Sequence, residues 1–292
     1  MNKDSIKYKL SLASQLQSEG KHLYAIQVLK SLMLESNDEH IYFQLAELYE
    51  DLGFIKSGQN ILNDLQTIYP ENLDVKLYIG QFLLRNSQWF DAIEILNEVS
   101  TSKPTAIFLI GYSYMMLNEF ELASDYFRRF ITSGDNGELK QEANLYLAKI
   151  EYELQNFDLA LKYAENAKYI YSNFWELNLI LAKVYYSLGM FTHAQKPIQK
   201  ALKHSTKEPA ILEFAGKIFF ALEDYHKAEF YFSEYIEQSS EISAEIYTLL
   251  ARSFLKQKKE KEAGLFFNLA LQIDPEYLPA ADGVKDLKNF SG

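Results

Sequence analysis

The residues in this sequence that could support catalysis do not form a recognisable active site. The five histidines form no His-x-x-x-His pair and fall at unrelated places, whereas a metal ion needs several convergent ligands. They are His22, His40, His193, His204 and His226. There is no glycine-rich phosphate loop or nucleophile elbow, and acidic neighbours such as Glu50 and Asp51 have no evident partner that would raise a carboxyl pKa. We therefore predict a protein that is not an enzyme, with no metal and no cofactor.

Composition narrows the class of protein further. The 292 residues are 48% hydrophobic, with six prolines and twelve glycines, so a continuous helical core is favoured over an all-β fold with many tight turns. A formal charge of −11 disfavours a nucleic-acid or membrane-surface partner, because such proteins usually carry a basic face. The absence of cysteine excludes disulfides and thiol chemistry. With no secretory apolar segment and no run of eighteen apolar residues, we predict a cytoplasmic protein without a membrane span.

The predicted elements are clearest in residues 175–208. This stretch contains two amphipathic helical patterns, about residues 176–188 and 193–204, with Gly189 between them as a helix-ending residue. Ala182 and Ala194 lie twelve residues apart, one in each helix, where small side chains let two helices approach closely. The same small–twelve–small spacing recurs eight times. The pairs are Ala13 and Ala25, Ala46 and Gly58, Gly80 and Ala92, Gly111 and Ala123, Ala148 and Ala160, Ala182 and Ala194, Gly216 and Ala228, and Ala251 and Ala263.

Successive second members of these pairs are 33, 34, 31, 37, 34, 34 and 35 residues apart, a period typical of helix–turn–helix solenoids. The chain resembles the tetratricopeptide repeat (TPR) family. The family's Leu–Gly/Ala pair is matched by Leu12-Ala13, Leu45-Ala46, Ile79-Gly80, Ile110-Gly111, Leu147-Ala148, Leu181-Ala182 and Leu250-Ala251, with Ala215-Gly216 the weak case. Its eleventh-position aromatic is matched by Tyr49, Tyr114, Tyr185, Phe219 and Phe254, but not by Leu16, Leu83 or Glu151. Its closing proline is matched by Pro70, Pro104 and Pro275.

The resemblance implies an all-α fold, an α-α superhelix (TPR solenoid) of antiparallel helix pairs that makes about one right-handed turn. The predicted repeats are residues 6–38, 39–72, 73–103, 104–140, 141–174, 175–208, 209–243 and 244–277. Residues 278–292 are predicted to form a capping helix with Val284, Leu287 and Phe290 on one face, because a last repeat exposes an apolar surface. Residues 133–137 carry the strongest loop signal and predict a boundary between two halves.

In TPR proteins the ninth and twelfth positions of each first helix point into a concave groove, and this layout carries over to the present sequence. Four successive ninth positions are cationic, namely Lys149, Lys183, Lys217 and Arg252. The twelfth positions include Tyr152, Tyr186 and Phe220, and the fourth repeat contributes Tyr112 and Met115. The resemblance therefore implies a protein-interaction adaptor that binds an extended or helical partner segment carrying acidic and apolar residues. Glu47, Glu50, Asp51 and Asp74 would give the N-terminal half of the groove the opposite charge.

Alternatives remain at this stage. The cations could form an intramolecular charge ladder, with Lys149 pairing Glu153 and Lys217 pairing Glu213. The protein could also be a self-assembling scaffold, a homo-oligomer in which the groove binds another copy. Tail clamping of the chaperone-binding TPR subclass is disfavoured, since the fifth positions are mostly apolar.

One apolar position recurs in every second helix and is predicted to pack between neighbouring repeats. Its members are Val28, Ile61, Ile95, Tyr126, Tyr163, Pro197, Tyr231 and Phe266. Pro197 lies inside a predicted helix, where it removes a backbone donor, and two interpretations are open: a tolerated kink or a hinge.

Overall fold

A computed structural model describes residues 3–134, 137–204 and 208–290, and these residues form α-helices joined by short turns, with no strand among them. They fall into two compact units, residues 1–135 and 136–292. The predicted all-α fold of antiparallel helix pairs is confirmed. The predicted half boundary at 133–137 includes Asp135 and Asn136, which lie outside the described residues.

The first unit contains four consecutive helix pairs, each made of a first and a second helix that pack on one another. The helices are α1 (Lys3–Ser18), α2 (His22–Glu35), α3 (Glu39–Asp51), α4 (Ile55–Ile68), α5 (Leu73–Arg85), α6 (Trp89–Asn97), α7 (Pro104–Met116) and α8 (Phe120–Thr132). Side chains cap two of these helices, α3 and α5. The carboxylate of Asp38 accepts from the His40 amide, and the side chain of Asn72 accepts from the amides of Asp74 and Val75.

The second unit contains four more pairs and a final single helix. The helices are α9 (Glu138–Glu153), α10 (Phe157–Tyr171), α11 (Trp175–Ser187), α12 (Phe191–His204), α13 (Pro209–Ala221), α14 (Tyr225–Gln238), α15 (Ala244–Lys256), α16 (Glu260–Ile273) and α17 (Leu278–Phe290). Helix α12 continues through Pro197, its seventh residue. Each first helix also contacts the next first helix, α9 with α11, α11 with α13 and α13 with α15. Side chains on these four helices therefore meet across repeats.

The turn between the two helices of each repeat has the same backbone conformation in all eight repeats. One residue in each turn lies in the left-handed region, with φ between 58° and 79°. These residues are Gly20, Gly53, Ser87, Asn118, Gln155, Gly189, Glu223 and Lys258. The intervals between these turn residues are the same as those between the small residues. Each turn residue therefore lies at a fixed distance along the chain from the small residues of its repeat. The helix-ending role predicted for Gly189 agrees with its φ of 71°.

In the third, fourth and seventh repeats the small first-helix residue, Gly80, Gly111 or Gly216, packs against a side chain from the second helix of the same repeat. This side chain lies sixteen residues further along the chain, and the residue at that place has no exposed surface in any repeat. The series is Leu29, Leu62, Leu96, Phe127, Ala164, Ile198, Phe232 and Phe267, of which all but Ala164 are large. A Cβ placed on Gly216 would lie 2.5 Å from the Phe232 ring, and one on Gly80 would lie 2.4 Å from Leu96. Glycine is therefore needed where the backbone of the first helix lies closest to a side chain of the second helix.

The predicted small repeat positions of the second unit are all buried. They are Ala148, Ala160, Ala182, Ala194, Gly216, Ala228, Ala251 and Ala263. Helix α17 follows the last of them and packs on α15 and α16. Ala280 is fully buried, and a Cβ on Gly283 would lie 2.3 Å from the Phe267 ring. Val284 and Leu287 pack on the same core, as the capping prediction requires, whereas the side chain of Phe290 lies outside the described residues.

Candidate partner-binding face

The four cations at the ninth positions lie on consecutive first helices of the second unit, and we call the surface they share with their neighbours the first-helix face. Lys149 is on α9, Lys183 on α11, Lys217 on α13 and Arg252 on α15, and all four are half-buried. Tyr152, Tyr186 and Phe220 lie three residues after the first three cations, also half-buried. Tyr112 and Met115 belong to α7 of the first unit instead.

Two of the cations form ion pairs that cross to the next first helix. Lys149 binds Glu176, the second residue of α11. Lys217 binds Glu245, the second residue of α15, at 3.1 Å, and also Glu213 on its own helix at 2.7 Å. The ladder pair between Lys217 and Glu213 is therefore present. The alternative pair of Lys149 with Glu153 is not found in the described part of the chain, because the Lys149 side chain reaches the adjacent helix α11 instead.

Lys183 has no ion pair within the described residues, and Arg252 has none there either, since it donates to a backbone carbonyl. The position that Glu176 and Glu245 occupy in their helices is taken in α13 by Ala210, which has no carboxylate. The Lys183 ammonium lies close to two aromatic rings instead, 5.5 Å from the centre of Tyr152 and 4.9 Å from that of Phe214. Such cation–π contacts stabilise an ammonium by about 0.5–2 kcal/mol. The Lys183 ammonium donates no hydrogen bond to another described residue.

The two lysines differ in electrostatics as a result. Burial lowers the pKa of Lys183 below its usual range, and the nearby charges of Glu153 and Glu213 offset this only in part. Burial opposes the charge of Lys217 too, but its hydrogen bond to Glu213 and the charges of Glu213 and Glu245 raise its pKa. A partner carboxylate beside Lys183 would supply the hydrogen bond and the negative charge that Lys217 already has from Glu213 and Glu245.

A pocket of about 250 Å³ opens beside Lys183, between α9 and α11. Trp175 and Leu179 contribute apolar surface to it, together with Tyr152. Its charged lining consists of the two lysines Lys149 and Lys183 and the two glutamates Glu153 and Glu176, of which Glu176 is paired with Lys149. An apolar side chain and an acidic group that are adjacent on one partner segment would therefore both find complementary surface here.

The twelfth-position rings have a second role that the sequence did not reveal. Each packs on a ring five residues further on, at the start of the second helix. The pairs and their centroid distances are Tyr152 and Phe157 at 5.7 Å, Tyr186 and Phe191 at 5.5 Å, and Phe220 and Tyr225 at 5.6 Å. These rings close the hairpin as well as bordering the face.

Phe214 is the residue of the face that sequence reasoning missed. It contacts Lys183 from the next repeat, packs edge-on against Tyr186 at 6.0 Å, and lies 5.4 Å from the Lys217 ammonium. The available signal was its place three residues before Lys217, one turn away on the same helix.

The other predicted residues have local partners. Arg252 donates to the carbonyl oxygen of Pro279 at 3.3 Å, so it ties α15 to the capping helix. Tyr112 packs edge-on against Trp89 at 6.2 Å, and Met115 is half-buried on the same helix. Each of the four acidic side chains predicted to face the N-terminal half of the groove has a hydrogen-bond partner. Glu47 accepts from Tyr78, Glu50 from Arg85 and Asn86, Asp51 from Gln17, and Asp74 from Lys103.

Neither metal ligation nor membrane insertion finds support in the described part of the chain. No three histidine or acidic side chains there come together as a candidate metal site. Among the described helices, none combines the length and apolar character that crossing a bilayer requires.

The described residues form consecutive helical hairpins with eight equivalent turns. This architecture is that of a helical repeat protein. Residues 108–173 and 215–277 match the family model described as tetratricopeptide repeat. With the fold, this match confirms the predicted resemblance to tetratricopeptide-repeat proteins. Such proteins are generally scaffolds for protein–protein interaction and are typically not enzymes. Comparison with curated protein sequences finds no match.

Solved structures share the fold at low sequence identity. A tetratricopeptide repeat protein from Parabacteroides merdae is 16% identical, with a TM-score of 0.57 over 87% of this chain and 99% of that one. The APC/C hetero-tetramer Cut9-Hcn1 is 19% identical, with a TM-score of 0.56 over 96% of this chain and 55% of that one. Pseudomonas aeruginosa PilF is 15% identical, with a TM-score of 0.57 over 72% and 95% of the two chains.

Proposed function

We propose that this protein is a scaffold whose first-helix face binds a segment of another protein that carries an acidic residue next to an apolar one. The observation that carries the proposal is Lys183, a half-buried cation without an ion pair in the described residues, held by two rings beside an open pocket. A buried charge is costly unless it is paired, so a partner carboxylate there gains more than it would at an exposed lysine.

The two neighbouring lysines support this assignment by contrast. Lys149 and Lys217 are neutralised by Glu176 and Glu245, so within the described residues Lys183 and Arg252 are the cations of the face without an ion pair. Of these two, Lys183 is the one that lines the pocket between α9 and α11. A charge-assisted hydrogen bond from Lys183 to a partner carboxylate is worth about 1.5–3 kcal/mol. The apolar neighbour of that carboxylate would occupy the pocket between α9 and α11.

The decisive variant is Ala210→Glu, which supplies the missing acidic residue without touching Lys183. The new carboxylate should pair with Lys183, as Glu245 pairs with Lys217, and so occupy the position proposed for the partner. Proteins that co-purify with the wild-type chain from its native host should be lost with Ala210→Glu and with Lys183→Met. Once a partner is identified, its affinity should fall at least about tenfold in both variants.

Lys256→Met is the matched control, because Lys256 is an exposed lysine on another first helix of the same unit, α15. It should leave capture and affinity unchanged, and circular dichroism should show that all three variants keep their helices. Undiminished binding by both Ala210→Glu and Lys183→Met would contradict the proposal.

A second copy of this chain is the alternative partner, because it too could present an acidic residue next to an apolar one to the first-helix face. Light scattering at increasing concentration distinguishes the two. A monomer at all concentrations assigns the face to a different protein, whereas a dimer that Ala210→Glu dissociates assigns it to self-assembly.

A further inference from the structure

The second helices carry a ring in three repeats that packs on an aromatic residue of the first helix of the same repeat. The ring centroids are 5.4 or 5.5 Å apart in each case, and two of the pairs are stacked. The pairs are Tyr114 with Tyr126, Phe219 with Tyr231, and Phe254 with Phe266. The ring fills the space beside the first helix.

The sixth repeat has the first-helix ring but lacks its partner. Tyr185 occupies the place of Phe219, and Pro197 occupies the place of Tyr231. The proline ring is too small to replace a phenol, and a pocket of about 210 Å³ is present, lined by Leu181, Tyr185 and Pro197 on its apolar side. We call it the Pro197 pocket.

The rest of the Pro197 pocket is polar, and its lining consists of Lys168, Lys196, Lys200, Glu165, Asn178 and His193. Lys196 and Lys200 line it from α12, which carries three lysines and no acidic residue and is the most positive of the described helices. Lys196 has no ion pair in the described residues, and Lys200 donates there only to the carbonyl of Ser172, at 3.3 Å. This concentration of positive charge stands out in a chain whose net charge is −11.

The one acidic group in the lining of the pocket is already engaged. The Glu165 carboxylate binds Lys168 at 3.0 Å and accepts from the Tyr185 hydroxyl at 3.3 Å. His193, the remaining ionisable side chain of the lining, packs against the Tyr185 ring with centroids 5.7 Å apart. Within the described residues, the charge left unpaired is therefore that of Lys196 and Lys200.

We propose that the Pro197 pocket binds a small aromatic oxyanion. The ring of the ligand takes the place that Tyr231 and Phe266 occupy in the next two repeats and packs on Tyr185. Its anionic group lies at the mouth and accepts hydrogen bonds from Lys196 and Lys200. The pocket lies between α10, α11 and α12 and shares no lining residue with the pocket of the first-helix face, so the proposal is independent of the proposed function.

Phenyl phosphate is the probe, titrated into the full chain and followed by isothermal calorimetry, with inorganic phosphate and phenol as the two comparison ligands. Phenyl phosphate should bind saturably, and each comparison ligand at least about tenfold more weakly, because each lacks one half of the complementary chemistry. No saturable binding of phenyl phosphate, or equal binding of inorganic phosphate, would overturn the assignment.

Pro197→Tyr is the sharpest variant, because it restores the ring found in the neighbouring repeats. It should abolish binding of phenyl phosphate while leaving the unfolding midpoint at or above that of the wild type, since it also removes a proline from a helix interior. Binding that persists in a folded Pro197→Tyr protein would refute the location.

Lys196→Gln combined with Lys200→Gln should weaken phenyl phosphate binding at least about tenfold. Lys203→Gln is the control, because Lys203 lies on the same helix but borders a different pocket, and it should bind as the wild type does. An equal loss in the control would mean that general positive charge, and not this pocket, attracts the ligand.

Discussion

Ala210 shows how one residue alters the chemistry of a repeated surface. At the same place in α11 and α15 a glutamate neutralises the lysine of the preceding repeat, and Ala210 leaves Lys183 without that partner. The lysines themselves were predictable, because their position recurs with the repeat. Of their partners only Glu213, which lies on the same helix as Lys217, was predicted. The contacts with Glu176 and Glu245 cross from one repeat to the next and depend on side-chain reach, so the sequence did not reveal them. Phe214 was missed for the same reason.

The closest helix approaches also depend on single residues. Gly216→Ala would place a methyl group 2.5 Å from the fully buried ring of Phe232, which has no room to move. We expect the strain to exceed the gain of about 1 kcal/mol in helix propensity and to lower the unfolding free energy by about 1 kcal/mol. Urea denaturation followed by circular dichroism measures the difference.

Gly264→Ala provides the matched comparison, since Gly264 lies inside α16 and its added Cβ would be 3.6 Å from the nearest side chain, Leu287. Without a clash, the better helix propensity of alanine should raise the unfolding free energy by about 0.5–1 kcal/mol. Changes of the same sign in both variants would show that packing against Phe232 does not decide the effect.

At the scale of the elements, the sequence predicted the positions of the helices well. It predicted the left-handed residue of each turn less completely. The first helix of the sixth repeat was expected over residues 176–188 and extends from Trp175 to Ser187, and the second was expected from His193 but begins at Phe191. Hydrophobic periodicity determines the helices. Glycine marks the left-handed residue in only three of the eight turns, so at Ser87 or Lys258 the conformation is imposed by packing of the two helices and leaves no local signal.

The five turns without glycine carry backbone strain that a substitution can remove. Glu223 is exposed and has a φ of 61°, a conformation that costs most residues about 1–2 kcal/mol. Glu223→Gly should therefore raise the unfolding free energy by about 0.5–1 kcal/mol, measured by thermal and urea denaturation.

The opposite substitution, of glycine by a residue with a side chain, can be made in the turn of the sixth repeat. A Cβ on Gly189 would meet no atom within 4 Å, so Gly189→Ala tests the backbone conformation alone and should lower the unfolding free energy by about 1 kcal/mol. A neutral result in both variants would mean that these turns are not strained.

At the scale of the whole molecule, the two units have separate hydrophobic cores. One core spans Ala13 to Ile110 in the first unit, and the other two lie in the second unit, over Leu145 to Val184 and Leu179 to Ala280. The repeat pattern alone predicts a continuous array and does not show where the buried residues separate into clusters.

Fragments of residues 1–134 and 137–292 should therefore each fold alone, with helical circular dichroism and a cooperative thermal transition, because each retains whole repeats and a complete core. A fragment of residues 137–189 is the control. It ends between the two helices of the sixth repeat and separates Ala182 from Ile198, so it should melt less cooperatively and at a lower temperature. Failure of either long fragment to fold would contradict the division into units.

The spacing between each small first-helix residue and a buried residue sixteen positions later has a consequence for how such a chain can change by duplication. Both residues lie within one repeat, so a duplicated or deleted repeat carries its internal packing with it. The partner of a ninth-position lysine lies in the following repeat, so the same event gives that lysine a new neighbour. Inheritance of whole repeats thus conserves the fold while it generates new surfaces for recognition.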